Sequence, residues 1–139
     1  MKKILILSMV VLLQACANLG QQYEPVKQPI EESVVYFYRP SRFIGRAIPF
    51  DIKENGQSIV TMHNNGYYPH LTTAGEHTYT VESLENKDSV TIKAQKGESY
   101  YISSKIGWGV IVGRPSLEVV SNTERALSEI KDCKYILKD

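Results

Sequence analysis

Between residues 33 and 120 the sequence breaks into short runs rich in Val, Ile, Tyr and Thr, each closed by Gly, Pro, Asn, Asp or Ser. A chain patterned this way buries alternate residues of each run and reverses direction between runs, which leads to a β-sandwich or barrel. The clearest pair is 49–53 and 57–62 around Glu54-Asn55-Gly56, because Asn-Gly supplies the two positive φ values of a tight hairpin. Asn64-Asn65-Gly66 turns the chain into 67–72, and Thr73-Ala74-Gly75-Glu76 turns it into 77–83. There His77, Tyr79 and Val81 alternate with Thr78, Thr80 and Glu82, so one face is buried and the other wet. Val90, Ile92 and Ala94 face inward on the next strand, 99–104 follows, and the apolar run 108–112 suits a central position. With 34–39 before Pro40 and 117–120 at the end, the expected fold is all-β: an antiparallel β-sandwich of about seven to nine short strands.

Past residue 120 the period changes. Ser121-x-x-Glu124 has capping-box spacing, and Ala126, Leu127, Ile130 and Cys133 recur at helical intervals. One amphipathic helix is expected over 122–132, covering an open edge or end of the sheets.

The chain starts with Lys2 and Lys3, continues through an apolar run at 4–13 broken by Ser8, and reaches Leu13-Gln14-Ala15-Cys16. A charged start, a short apolar core and a small residue before the cut are the parts of a secretory signal. The run is too short to cross a bilayer, which takes about 18 to 20 residues. Leu13, Ala15 and Cys16 resemble the lipobox of bacterial lipoproteins. That resemblance implies cleavage before Cys16, acylation on its sulfur and nitrogen, and stable anchoring by more than one acyl chain. Ala17, where enteric-type sorting uses Asp for inner-membrane retention, implies the periplasmic face of the outer membrane. Residues 17–32 are polar and irregular and read as a flexible tether, reaching roughly 50 Å when extended. The expected organisation is 1–15 signal peptide, 16–32 lipidated tether, and 33–139 sandwich domain with its C-terminal helix.

The net charge of +1 becomes −1 once Lys2 and Lys3 leave with the signal, which argues against a nucleic-acid partner. Of the two cysteines, Cys16 takes the lipid; Cys133 is then alone and reads as a small buried apolar residue.

Asn55-Gly56-Gln57 followed by Gly75-Glu76-His77-Thr78 resembles the small sandwich repeats called PEGA domains. A longer resemblance spans 34 to about 136. It is carried by Val35-Tyr36-Phe37-Tyr38-Arg39-Pro40-Ser41, Gly75-Glu76-His77, Tyr100-Tyr101-Ile102 and Val112-Gly113-Arg114-Pro115-Ser116-Leu117-Glu118. These segments are similar to a family of small bacterial lipoproteins known only as a domain of unknown function. The resemblance implies export and anchoring, and assigns no catalytic residue.

No His-Glu-x-x-His, Cys-x-x-Cys, Gly-x-Ser-x-Gly or phosphate-loop motif occurs, so no catalytic residue, cofactor or metal is expected. Gly107-Trp108-Gly109 with Gly113 departs from the dinucleotide fingerprint and reads as glycines relieving crowding around Trp108 in a sheet. His63, His70 and His77 stand seven apart without a carboxylate at ligand spacing; an enzyme or metal protein would have to use them. Two features point to binding. In the loop after residue 39, Arg39, Arg42 and Arg46 accompany Phe43 and Ile44, a combination suited to a phosphate-bearing headgroup, a polyanion or a protein. Arg39-Pro40-Ser41 and Arg114-Pro115-Ser116 could bring two arginines to one end of the sandwich to grip one anion. The local alternative is two strand terminators, with the arginine paired to Glu118 or another local acid. Tyr36, Tyr38, Tyr67, Tyr68, Tyr79, Tyr100 and Tyr101 lie in strands and would stack on a glycan if they formed a wet stripe. The expectation is a non-enzymatic, lipid-anchored envelope protein that binds an envelope protein or a cell-wall component such as peptidoglycan. The alternative is a structural or assembly accessory without a specific ligand.

Overall fold

The computed structural model describes residues 19–138; the expected signal peptide at 1–15 and the expected lipidation site, Cys16, lie outside them. The described residues form ten strands: β1 (Leu19–Gln22), β2 (Ser33–Arg39), β3 (Phe50–Glu54), β4 (Gln57–Met62), β5 (Gly66–Thr72), β6 (Gly75–Glu82), β7 (Lys87–Ala94), β8 (Ser99–Gly107), β9 (Arg114–Val119) and β10 (Lys134–Ile136). A helix, α1 (Thr123–Ile130), separates β9 from β10. One sheet runs β1-β10-β5-β2-β8-β9 and the other β4-β3-β6-β7. The Asn-Gly hairpin forms as expected, with Asn55 and Gly56 at φ 52° and 76°.

All seven residues of β2 are buried. A strand covered on both faces reads as a continuous apolar run rather than an alternation. Val35 and Phe37 point between the sheets, into a core with Ile52, Met62, Tyr79, Val81 and Ile102. Val34, Tyr36 and Tyr38 point the other way, into a second core with Tyr67, Ala126, Ile130 and Cys133. Thus α1 covers the outer face of the six-stranded sheet, where an edge or end was expected. Tyr38 donates to Glu129 Oε2 at 2.6 Å, tying helix to sheet. The helix starts one residue later than Ser121 would place it: Asn122 is the N-cap, its Oδ1 accepting from the Arg125 N–H at 3.0 Å.

Three further expectations change. The strands number ten rather than seven to nine, and the larger sheet is mixed: β2 with β8 and β5 with β10 are parallel. Second, from residue 19 the supposed tether is part of the fold. β1 pairs with β10, and the Tyr23, Glu24 and Val26 N–H groups donate to the Cys133 carbonyl and to the Tyr67 and Tyr36 hydroxyls. The Tyr23 ring meets Tyr36 and Tyr67 edge-on at 5.6 and 5.1 Å. This segment docks through its backbone and one aromatic, so hydropathy gives no sign of it. Third, residues 108–113 are an exposed loop, not a central strand.

Candidate functional site

Two loops meet at one end of the sandwich, residues 40–49 after β2 and 108–113 between β8 and β9. What holds them is Ile106, buried near the end of β8. Gly45, at φ 70°, lies so close that a Cβ would sit 2.6 Å from Ile106 Cγ2; at Gly113 the distance is the same. Only glycine lets both backbones reach that side chain.

Each loop also has its own anchor. Arg39 is 2% exposed and lies 5.1 Å over the Phe50 ring. Its guanidinium donates to the Ile48 carbonyl at 2.8 Å, Gly45 at 2.7 Å and Met62 at 3.4 Å. Burial lowers its pKa, yet a guanidinium stays protonated, and three carbonyl dipoles offset the lost hydration. The second anchor is Glu85, in the turn between β6 and β7. Its carboxylate accepts from the N–H groups of Val110 (2.8 Å), Ile111 and Val112 (3.0 Å) and from Arg114 Nε (3.1 Å). Those backbone donors, Ile111 foremost, hold its pKa down at about 2. Residues 110–112 therefore spend their N–H groups on a carboxylate instead of a strand ladder. Gly109 permits this wrapping, since a Cβ there would overlap the Val112 carbonyl oxygen.

With the backbones held inward, the apolar side chains face out. Phe43 is 85% exposed, Trp108 79%, and Val110 and Ile111 87% each. Between the loops runs an open groove of about 450 Å³ lined by Arg42, Phe43, Ile44, Lys105, Ile106, Gly107 and Trp108. Segments 39–49 and 105–114 hold five cationic residues and no Asp or Glu.

The candidate residues thus divide. Arg42, Phe43 and Arg46 are surface residues of this end, as expected. Arg39 is a buried structural cation, not a ligand-binding one. Arg114 pairs with Glu85 rather than Glu118, which is held by Arg125 at 2.6 and 3.0 Å. The two arginines therefore do not grip one anion. Trp108, Val110 and Ile111 escaped the sequence reading because an apolar run of this length looks like a strand. The available signal was the glycines at 107, 109 and 113. The tyrosines form no wet stripe: Tyr36, Tyr38, Tyr67 and Tyr79 are buried, and the other three are half-buried. Cys133 is fully buried, and burial pushes its thiol up to about 12, as suits an inert core residue.

The histidines behave differently from one another. His63 lines a groove beside β4 and the chain's last residues, away from the other two. His70 and His77 both face Glu54, at 3.9 and 2.6 Å. Thr72 Oγ1 lies 3.1 Å from His77 Nε2, so Thr72, His77 and Glu54 mimic a nucleophile, base and acid series. Both nitrogens of the ring also face acceptors, Glu54 at Nδ1 and the Thr73 carbonyl, 2.8 Å away, at Nε2, an arrangement that favours the doubly protonated ring over the neutral one a base requires. In that form the imidazolium clamps the β5–β6 turn to the end of β3. Among the described residues no group of three His, Cys, Asp or Glu side chains is arranged to hold a metal ion.

Burial opposes the charge on His77, but the Glu54 hydrogen bond, the Thr73 carbonyl and the Glu54 charge together raise its pKa. His70 shifts down, mainly by burial, with His77 and Lys138 adding to it against the pull of Glu54. A raised His77 binds its proton more tightly folded than unfolded. Its contribution is full below about pH 6.5 and is lost as pH rises through the folded pKa. His70 has the opposite sign and loses stability as pH falls from about 6.5 through its lowered pKa. Melting temperature followed from pH 6 to 9 should fall on the alkaline side in the wild type and flatten there in His77→Gln. An unchanged alkaline slope in that variant would remove the clamp.

Residues 30–114 match the family model described as "Protein of unknown function (DUF2846)", more than half of the chain. The chain belongs to that family. The DUF2846 match takes in β2 through β8, both loops and Glu85, and stops at Arg114; α1 and β10 lie beyond it. An "Uncharacterized protein" of Haemophilus influenzae is 30% identical over 137 residues, covering 90% of this chain and 80% of the relative. No solved structure matches the chain. No helix among the described residues is long and apolar enough to cross a membrane.

Proposed function

We propose that this DUF2846 protein is a lipid-anchored module of the bacterial envelope, attached through Cys16 at the periplasmic face of the outer membrane, and that it works by binding rather than catalysis. Export and lipidation rest on the Lys2-to-Cys16 pattern. The observation that carries the binding reading is the paired-loop end. Two backbones are locked by Arg39, Glu85 and Ile106 so that Phe43, Trp108, Val110 and Ile111 stand in solvent. A soluble fold rarely exposes contiguous apolar side chains without use, and fixing them in advance lowers the entropy cost of binding.

The test is expression in a Gram-negative host with a photo-crosslinker at Phe43, and at Leu71 as an exposed control on β5. The expected result is an acylated chain beginning at Cys16 in the outer-membrane fraction, with crosslinks to an envelope component from Phe43 and few from Leu71. A chain cleaved elsewhere overturns the anchoring. Equal labelling from both positions overturns the binding surface and favours the structural-accessory reading.

A further inference from the structure

We infer that the paired-loop end inserts into the interfacial region of an anionic phospholipid bilayer, so that the protein contacts the membrane through its loops as well as through any acyl anchor. This rests on the binding reading above and names its occupant. The exposed side chains are borne on loop tips flanking an open groove, an arrangement that a fluid interface buries without needing a complementary partner surface. Trp108 is a residue type that settles at the headgroup level, and Phe43, Val110 and Ile111 can reach the acyl boundary.

The charges fit the same occupant. Arg42, Arg46 and Lys105 are exposed and have no ion-pair partner among the described residues. The nearby carboxylate, Glu85, is turned inward onto backbone N–H groups. A cationic end on a chain whose balance is −1 without Lys2 and Lys3 is a local asymmetry, and lipid phosphates complement it.

Trp108 is the only tryptophan of the chain, so its emission reports on this loop alone. The experiment uses the chain from Ala17, which keeps every described strand and both cores. It is mixed with phosphatidylethanolamine–phosphatidylglycerol vesicles or with phosphatidylcholine vesicles. The expected result is a blue shift and co-sedimentation on the anionic vesicles, weakened by salt. Affinity should drop about fivefold for each of Arg42→Ala and Arg46→Ala, and about tenfold for Phe43→Ser, with circular dichroism unchanged. Co-sedimentation without a blue shift would overturn the inference, as would no binding by a folded chain. If vesicles give no shift while the Phe43 crosslinker captures one envelope protein, the lipid occupant is overturned and the binding surface stands.

Discussion

Replacing Arg39 with Ala is expected to destabilise the protein by about 2 to 3 kcal/mol, because it removes a buried side chain and strands one buried and two part-buried acceptors rather than a surface contact. The Gly45 and Ile48 carbonyls each lose a charged donor at 2.7 and 2.8 Å, and Met62 loses a longer bond at 3.4 Å. An unsatisfied buried acceptor costs about 1 to 3 kcal/mol, and the lost cation–π contact with Phe50 adds to that. Arg39→Lys keeps a charge but loses the fork that reaches two loop carbonyls at once, so about half of the cost should remain. Urea denaturation measures both variants, with an unchanged m-value showing that the cost lies in the folded state. A loss below about 1 kcal/mol for Arg39→Ala would mean that water replaces the guanidinium and that the loop does not depend on it.

Gly45→Ala should cost about 2 to 4 kcal/mol from two sources, backbone strain at φ 70° and collision with Ile106 Cγ2 at 2.6 Å. A double-mutant cycle separates them. With Ile106→Ala already present the Cγ2 collision is gone while the residue's Cβ still stands 2.9 Å away, so the added cost of Gly45→Ala should shrink to about 1 to 2 kcal/mol, backbone strain plus that remaining contact. Additive losses across the two sites would show that Gly45 and Ile106 are not coupled. The same cycle with Gly113→Ala tests the other side of the contact, where no positive φ contributes. There the coupling should account for almost the whole effect.

Both experiments probe the point at which the sequence was least readable. The hairpin at Asn55-Gly56, the inward set His77, Tyr79 and Val81, and the helical period at Ala126 and Ile130 are local signals, and the structure keeps them. Partner choice is not local. Residues 34–39 read as an ordinary first strand, yet β2 lies between β5 and β8 with both faces buried. The run at 108–112 read as central, yet Glu85, more than twenty positions earlier, captures its N–H groups and leaves it outside the sheets. At the candidate site Phe43 and Arg42 were visible because a loop holding cations and apolar residues is unusual in itself. Trp108, Val110 and Ile111 were hidden because an apolar run has the same composition in a core strand and on an exposed tip.

By itself the sequence determined the alternation that makes the domain a two-sheet β structure and the places where the chain turns. These follow from period, turn chemistry and residue type, which act over a few residues. Only the tertiary structure decided that Arg39 is an internal brace, that residues 19–26 belong to the fold, and that two loops share Ile106 to form one exposed apolar end. Those outcomes depend on which distant backbone groups find a partner, and a buried charge or an orphaned N–H is costly enough to override local preference.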